Sequence, residues 1–381
     1  MKDYFQRLNV SRYCVGILAT VLLQACAPKY SYRENAMPEP VVLSPRLQTL
    51  FAKTKLVCFG RYALEVPQEA VLLWGKVAIP VDVEVMSGGV PAQKQRLAEE
   101  IRDIKRANRT AEIIYNGVGP ISGSWQVRYF SDEFTKERNA LYFTTYVMSG
   151  ELTFIIGDSV NEKENEEQVS NRQAALAKSI RLRTVDEVPD EPGFCAEHSF
   201  IPESLYATQE TANGGIYLPS LPDVTFSVSS NKNAYGDYSK EDFENEQRAK
   251  LSLLARIGGA KSAQPGTYPS RNVLREGKRI VQHWHGEESL FKRRDGTHDF
   301  EWAFVGTPRD VANPSEFHAV MFTKVEHNTV GAAHAASLSD DEAVALFDKL
   351  LSGLKFRVKV PGAPEGSYFL PANKLASAAP Q

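Results

Sequence analysis

The chain contains 381 residues, of which 44 are basic and 47 are acidic, so its formal net charge is −3. This length is sufficient for two globular domains, each with its own hydrophobic core. A mildly acidic chain with interspersed charges argues against nucleic-acid binding, which requires a basic face. The composition therefore indicates a globular protein whose partners do not include nucleic acid.

The N-terminus has the order of a secretory signal peptide. Lys2, Arg7 and Arg12 precede an apolar run at residues 15–23, which is too short to cross a bilayer as a helix. A small residue ends the segment, so residues 1–25 are predicted to be a cleaved signal peptide. The folded part of the chain is then expected in the periplasm.

The sequence around Cys26 resembles a bacterial lipobox. Leu23-Gln24-Ala25-Cys26 places the thiol directly after a small residue, where it would be acylated before the signal is removed. Residues 26–45 would form a lipidated, proline-containing tether. Ala27 stands where an inner-membrane retention signal usually has aspartate, which favours anchoring to the outer membrane. An ordinary cleaved signal with an incidental cysteine is the alternative.

Two cysteines, Cys58 and Cys195, remain after this processing. Two leftover thiols in an oxidising periplasm usually pair, and these two open matching parts of the chain. A bridge would close a loop of more than about a hundred residues and contribute on the order of 4 to 5 kcal/mol in the chain-entropy model. Two separate buried thiols are the alternative.

The segment from Gly277 to Thr307 is predicted to form two strands joined by a tight turn. Apolar and aromatic residues alternate with polar ones on either side of Asp295-Gly296, which is typical of a β-hairpin. An equivalent strand pair occurs earlier, at residues 124–132 and 139–149, and one further strand follows each pair. The chain is therefore predicted to contain two copies of one unit.

Each copy also contains two predicted helices. The closing helix of the second copy begins with a capping box, Ser339 with Glu342. The remaining inward-facing positions at helical spacing are Leu97, Ile101, Ile104, Val169, Leu176, Ile180, Phe243, Leu251, Leu254 and Ile257. Both closing helices run into basic, strand-like ends at residues 180–183 and 354–357.

These elements predict an α+β fold with two similar α+β domains that form a two-lobed clamp. Each domain has the order strand, strand, helix, three strands, helix. The first domain is predicted at residues 46–184 and the second at 194–360, with an acidic, proline-containing linker at 185–193. Residues 361–381, rich in Pro, Ala and Ser, are predicted to be a disordered tail.

His283, His285 and Glu287 form a candidate metal site. Their spacing of i, i+2 and i+4 would place all three on one face of a strand, where two imidazoles and a carboxylate could bind zinc or iron. A solvated strand face, with Trp284 turned into the core, is the favoured interpretation. We therefore expect neither a metal nor any other cofactor.

Basic and aromatic residues mark two candidate partner-binding regions. Lys292, Arg293 and Arg294 flank the tip of the predicted hairpin, and Tyr235 and Tyr238 lie in the loop before the second long helix. Arginine and aromatic residues contribute most to many protein interfaces. A solvated turn is the alternative for the basic tip.

Two groups of motifs resemble the type VI lipase immunity (Tli) proteins of type VI secretion systems. The first is C-F-G-R-Y-A-L-E-V-P at Cys58 to Pro67. The second comprises G-K-R-I-V, G-E-E, D-F-E-W-A-F and the final A-x-x-L-F-D-K-L-L helix of the second half. The resemblance covers about residues 48 to 358, and its motifs carry no catalytic signature.

The resemblance implies a two-domain periplasmic protein without enzymatic activity. Such a protein would bind its cognate phospholipase effector in a one-to-one complex, gripping it between the lobes, and would protect the producing cell. A metal-dependent periplasmic hydrolase using His283, His285 and Glu287 is an alternative. A structural outer-membrane lipoprotein with a scaffolding role is another.

Overall fold

A computed structural model describes residues 38, 41–161, 164–204, 206, 209–232, 251–307, 310, 312–323 and 336–371. The first unit contains α1 (Pro45–Leu50), β1 (Thr54–Phe59), β2 (Tyr62–Pro67), β3 (Val71–Ala78), β4 (Asp82–Ser87), α2 (Gly89–Ala107), β5 (Glu112–Val118), β6 (Ser124–Phe130), α3 (Glu133–Glu137), β7 (Tyr142–Ser149), β8 (Leu152–Ser159), α4 (Glu166–Ser179) and β9 (Arg181–Leu182).

The second unit repeats this order. It contains β10 (Gly193–Ala196), β11 (Ser199–Pro202), β12 (Glu210–Tyr217), β13 (Val224–Lys232), α5 (Leu253–Ala263), β14 (Arg271–Val281), β15 (Trp284–Arg293), β16 (His298–Val305), β17 (Glu316–Thr323), α6 (Asp340–Ser352), β18 (Leu354–Val358) and β19 (Tyr368–Leu370). In the described ranges, no helix is both long and apolar enough to cross a bilayer.

One antiparallel sheet of twelve strands runs through both units. Its order is β14-β15-β16-β17-β13-β12-β3-β4-β8-β7-β6-β5. Read outward from the centre, the first unit has β3-β4-β8-β7-β6-β5 and the second has β12-β13-β17-β16-β15-β14, which is the same topology. The units meet where β3 pairs antiparallel with β12, from Val71–Tyr217 to Ala78–Thr211. The predicted α+β fold with two similar units is confirmed.

Helices cover both faces of each half of the sheet. On one face of the first unit, Glu100 of α2 accepts a hydrogen bond from the Thr144 hydroxyl at 2.7 Å. On the other face, Gln173 of α4 contacts β6 and β7. Helices α5 and α6 hold the corresponding places in the second unit. The capping box at Ser339 is confirmed, and Asn165 with Gln168 forms another at the start of α4.

Each unit gives its last strand to the other unit's opening hairpin. Strand β18 pairs with β2, and β9 pairs with β11. The two hairpins also touch, because Gly60 and Cys195 exchange backbone hydrogen bonds of 2.8 and 2.7 Å. Gly60 has a φ of +54°, and a Cβ there would lie 2.5 Å from the Cβ of Ala212, so the close approach requires glycine.

A disulfide between Cys58 and Cys195 joins the same two hairpins, with a Cα–Cα distance of 5.9 Å. Two buried arginines hold the linker beside it. Arg357 donates to the carbonyls of Glu191 and Gly193 at 2.9 Å each, and also to that of Pro189. Arg183 donates to the carbonyl of Glu187 at 2.8 Å. The predicted linker is therefore packed against both units.

The structure corrects two local predictions, and a third cannot be compared with it. The tract from Gly277 to Thr307 forms parts of three strands, because the chain turns at Gln282, whose φ is +55°. Leu251 is 54% exposed, and Leu253 is the residue that α5 buries. The start of the predicted second long helix, including Phe243, lies outside the described residues.

The structure also differs from the prediction at the end of the tether and at the start of the tail. Ser44 caps α1 and donates to Glu342 at 2.7 Å, so the last residues of the expected tether are docked on α6. Residues 368–370 form β19, parallel to β18, although we expected a disordered tail from residue 361. Gly362 and Gly366, with φ of +79° and +85°, turn the chain back toward β18.

Candidate partner-binding surface

The central strands of the sheet have an exposed apolar face. The register places Val71, Tyr217, Thr225 and Phe322 in one row across β3, β12, β13 and β17. Val71, Tyr217, Phe322 and the neighbouring Leu73 are between 38% and 52% exposed. A row of exposed apolar side chains on a folded protein is typical of a protein-binding site. Successive side chains of a strand point to opposite faces of the sheet, and these four lie on the face turned away from the core.

A cleft of about 500 Å³ opens beside this row, where β3 and β4 separate. Its apolar lining comes from both strands and from β8, through Trp74, Val83, Val85 and Phe154. The turn between β10 and β11 closes one side with Glu197. Residues of both units therefore form its walls.

A second cleft, of about 770 Å³, lies at the tip of the β15–β16 hairpin and is basic. Arg293 and Arg294 line it, together with Arg271, whose guanidinium lies 4.4 Å from the ring centre of Phe291 and 4.8 Å from that of Tyr268. Arginines held over aromatic rings are suited to binding acidic groups or partner side chains.

Of the three basic residues predicted at the hairpin tip, Arg293 and Arg294 line this cleft and Lys292 does not. Arg294 is exposed and donates to Ser270 at 2.8 Å, whereas Arg293 bonds to Asp299. The Lys292 ammonium instead pairs with Asp340 at 2.8 Å. Tyr235 and Tyr238 lie outside the described residues, as does Cys26.

Sequence patterns missed most of this surface. Tyr268 and Arg271 lie just before and at the start of β14 without any recognisable motif. The run containing Val71 and Leu73 does not alternate between apolar and polar residues. The row becomes visible only after β3 is paired with β12, which brings residues 71 and 217 side by side. The sequence around Tyr217 carries no signal that marks this residue as exposed.

His283, His285 and Glu287 do not come together as a metal site. His283 lies in the turn, not on β15, and its Nε2 is 3.4 Å from the carbonyl oxygen of Ala312. Burial lowers the pKa of His283. Glu287 accepts a hydrogen bond from the backbone N–H of Leu254 at 2.8 Å, so it stabilises the N-terminus of α5.

The prediction assumed that all three residues lie on one strand. His283 instead lies in the turn before β15, so it does not share a strand face with His285 and Glu287. Trp284 is fully buried, as the favoured interpretation expected. Within the part of the chain that the structure describes, no group of three or more potential ligands is placed to hold a metal ion.

Comparisons with known families match both halves of the chain. The profile described as Tle cognate immunity protein 4 N-terminal domain matches residues 55–188. The profile described as Tle cognate immunity protein 4 C-terminal domain matches residues 187–359. The chain belongs to the Tle cognate immunity protein 4 family. The resemblance to type VI lipase immunity proteins is thereby confirmed, and the two profiles meet within the linker.

Three solved structures have the same fold as this chain. The matching chain of the crystal structure of a Tle4–Tli4 complex is 22% identical with a TM-score of 0.62, over 80% of this chain and 98% of that one. The immunity protein TplEi of the type VI secretion system from Pseudomonas aeruginosa is 23% identical in complex with an "L" peptide, with a TM-score of 0.58 and the same coverage. Its apo structure is 22% identical, with a TM-score of 0.59, over 80% of this chain and 97% of that one.

A search of curated protein sequences finds no match. The family is one of immunity proteins.

One buried cluster has the order hydroxyl, imidazole, carboxylate. His298 Nδ1 lies 3.0 Å from the Thr323 hydroxyl, and its Nε2 lies 2.9 Å from Asp340.

The surroundings of this cluster indicate a structural role. Thr323 and His298 are each 1% exposed, so a substrate would not reach the hydroxyl. The same hydroxyl also accepts the backbone N–H of His298 at 2.9 Å. Asp340 is the first residue of α6, where a carboxylate stabilises the positive end of the helix dipole.

Proposed function

We propose that this member of the Tle cognate immunity protein 4 family is a periplasmic lipoprotein that binds its cognate type VI secretion phospholipase effector one-to-one. It inhibits the effector and so protects the producing cell from itself and its siblings. The observation that carries the proposal is that both halves match the family without interruption from residue 55 to 359. The matching chain from a Tle4–Tli4 complex supports an interaction of the same kind.

The exposed row on the central strands supports a binding mechanism. Val71, Leu73, Tyr217 and Phe322 offer apolar surface next to a cleft lined by both units. A partner that covers this region would contact both lobes at once. Inhibition then requires only that the effector's substrate route is covered or its lid is held shut, with no chemistry from the immunity protein.

Membrane attachment is supported by the sequence alone. The signal-like residues 1–25 and the lipobox-like cysteine, Cys26, would place a lipid anchor at the start of the tether. Ala27 favours the outer membrane. Metabolic labelling with radioactive palmitate should label the wild type and not Cys26→Ala, and the variant should leave the membrane fraction. Label retained by the variant would contradict lipidation at Cys26.

The binding proposal is tested by purifying the protein together with the product of the neighbouring gene, which we expect to be the cognate phospholipase. We expect a one-to-one complex by light scattering and loss of phospholipase activity on vesicles. Leu73→Arg should weaken the complex, because it places a charge within the apolar row. Val118→Arg is the matched control, since Val118 is also an exposed strand residue but lies on the outermost strand β5.

Two outcomes would contradict the proposal. One is a stable protein that neither binds nor inhibits the neighbouring phospholipase. The other is binding to proteins of the envelope machinery without protection against a lipase, which would favour the scaffolding alternative. The metal-dependent hydrolase is not favoured by any observed geometry, because His283 lies away from the strand that carries His285 and Glu287.

A further inference from the structure

The first unit contains an opening in the sheet that the second unit lacks. In the described part of the chain, β3 pairs with β4 only at Ala78–Asp82. The equivalent strands β12 and β13 pair at eight positions, from Glu210–Lys232 to Tyr217–Thr225. Because the two units share one topology, the fold itself does not require this opening.

A bulge in β3 accounts for the separation of the two strands. Trp74 pairs with Gly214 and Val77 with Ala212, so three steps along β3 oppose two steps along β12. Such a bulge increases the local twist and bends a strand away from its neighbour. On its far side, β4 pairs regularly with β8 along its whole length. Beyond Asp82, the near edge of β4 therefore faces the cleft without a pairing strand among the described residues.

The charges around the cleft are mainly acidic. Lys76 and Asp82 form an ion pair of 3.1 Å at the narrow end, so their charges offset each other. Glu84 and Glu197 remain at the mouth, which gives the cleft a net negative character. Glu84 lies in the row of Tyr146, on the face that α2 covers. Glu197 belongs to the β10–β11 turn on the opposite side.

We propose that an extended, basic segment of the effector adds to the edge of β4 as a new strand in this cleft. An added strand gains affinity from backbone hydrogen bonds and specificity from alternating side chains. Neighbouring basic residues of such a segment would point to opposite faces and meet Glu84 and Glu197. Its apolar side chains would contact Trp74 and Phe154.

The inference rests on the proposed function, because it assumes that the partner is the effector. Unprotected strand edges tend to pair indiscriminately, and proteins commonly restrict this with bulges and lysines. The β3 edge has both, a bulge and Lys76, whereas the regular β4 edge has neither. This difference is why we assign the added strand to β4.

Hydrogen exchange on the complex with the neighbouring phospholipase tests the proposal directly. We expect those amides of residues 83–87 that point toward the cleft, and not toward β8, to exchange at least about tenfold more slowly in the complex than in the free protein. Amides of β5, on the far edge of the sheet, serve as the internal control and should be unchanged. A complex that forms without protection at residues 83–87 would overturn this inference alone. Failure to form any complex would overturn the proposed function as well.

Charge reversal provides a second test. The double variant Glu84→Lys and Glu197→Lys should weaken the complex at least about tenfold, chiefly at low salt. Glu99→Lys is the matched control, because Glu99 is a partly exposed acid on α2 that does not line the cleft. Equal affinities for the double variant and the control, with both proteins folded, would contradict a basic segment in the cleft.

Discussion

The closing helices of the two units occupy equivalent places but bury opposite chemistry. Each helix begins with a capping box, at Asn165 in α4 and at Ser339 in α6. The eighth residue after the cap (165 + 8 and 339 + 8) is Gln173 in the first unit and Phe347 in the second. Both side chains are fully buried against the sheet. One topology therefore accepts an amide or an aromatic ring at the same position.

The sheet beneath each helix matches its helix residue. In the first unit, Gln126 donates to Gln173 at 3.0 Å and to Thr145 at 2.8 Å. In the second unit, Leu290 and Phe300 pair across β15 and β16, as Gln126 and Thr145 pair across β6 and β7 in the first. The ring centre of Phe347 then lies 5.7 Å from that of Phe300.

The difference shows that strand order does not dictate the chemistry of a core. A buried polar cluster is stable only while every donor and acceptor keeps a partner, whereas an aromatic cluster is stabilised by buried area. Helix α6 has eight buried residues and α4 has four. We therefore expect the second unit to be the more stable of the two.

Removal of the disulfide should have the largest effect. The bridge spans a sequence separation of 137 and links the opening hairpins of both units. The chain-entropy model predicts that Cys58→Ala with Cys195→Ala lowers the free energy of unfolding by about 5 kcal/mol. Urea unfolding should then resolve two transitions, with the first unit unfolding before the buried Trp284 and Trp302 of the second become exposed. Reduction of the wild type is the control and should give the same shift. An unchanged midpoint in both experiments would contradict the prediction.

Phe347→Ala should destabilise the second unit by about 3–5 kcal/mol, because it leaves a cavity beside the rings of Phe226 and Phe300. The measurement is the midpoint of urea unfolding, with tryptophan fluorescence as the signal. Phe134→Ala, at a residue that is 60% exposed on α3, is the control and should change the free energy by less than about 0.5 kcal/mol. Similar losses for both variants would contradict the difference in packing.

Gln173→Leu should cost about 1–3 kcal/mol in the first unit, since Gln126 and Thr145 each lose a buried hydrogen bond to Gln173 and keep the bond between them. Adding Gln126→Leu and Thr145→Val should recover most of this loss, because the whole cluster then becomes apolar as in the second unit. Urea unfolding of the single and triple variants makes the comparison. A single variant more stable than the wild type would show that the polar cluster is not needed.

Local patterns in the sequence predicted the parts of the fold that depend on local spacing. The capping box at Ser339 and the apolar stripe of α6 located the helix, and alternation around Asp295 located the β15–β16 hairpin. Gln282 was missed because it adopts a positive φ without the glycine or asparagine that usually marks such a turn. The burial of Gln173 was missed because helical periodicity counts only apolar residues.

Long-range pairing could not be predicted in the same way. The pairing of β3 with β12 and the exchange of β9 and β18 join strands that are far apart in sequence, and no local pattern specifies such partners. The candidate surface depends on that pairing. Composition pointed to Arg293 and Arg294, which line the basic cleft, but Arg271 joins them only through the fold.

The smallest expected effect concerns the first residue of each closing helix, Asp340 in α6 and Glu166 in α4. Asp340 is 2.8 Å from Lys292, whereas Glu166 is 3.4 Å from Arg128 at the equivalent place. Burial raises the pKa of Asp340, but hydrogen bonds from Lys292 and His298 outweigh it and hold the pKa below its usual value.

A carboxyl whose pKa is lower in the folded state adds stability above its unfolded pKa of about 3.9, and that stability disappears as the pH falls through the folded pKa. Asp340→Asn should therefore lower the urea midpoint at pH 7 slightly, and the difference from the wild type should vanish in the acid range. Glu166→Gln, at a more exposed and longer ion pair, should change the midpoint less. A difference between Asp340→Asn and the wild type that grows on acidification would contradict the direction of this pKa shift. Equal effects of the two variants at neutral pH would instead show that the tighter contacts of Asp340 add no stability over the solvated pair in the first unit.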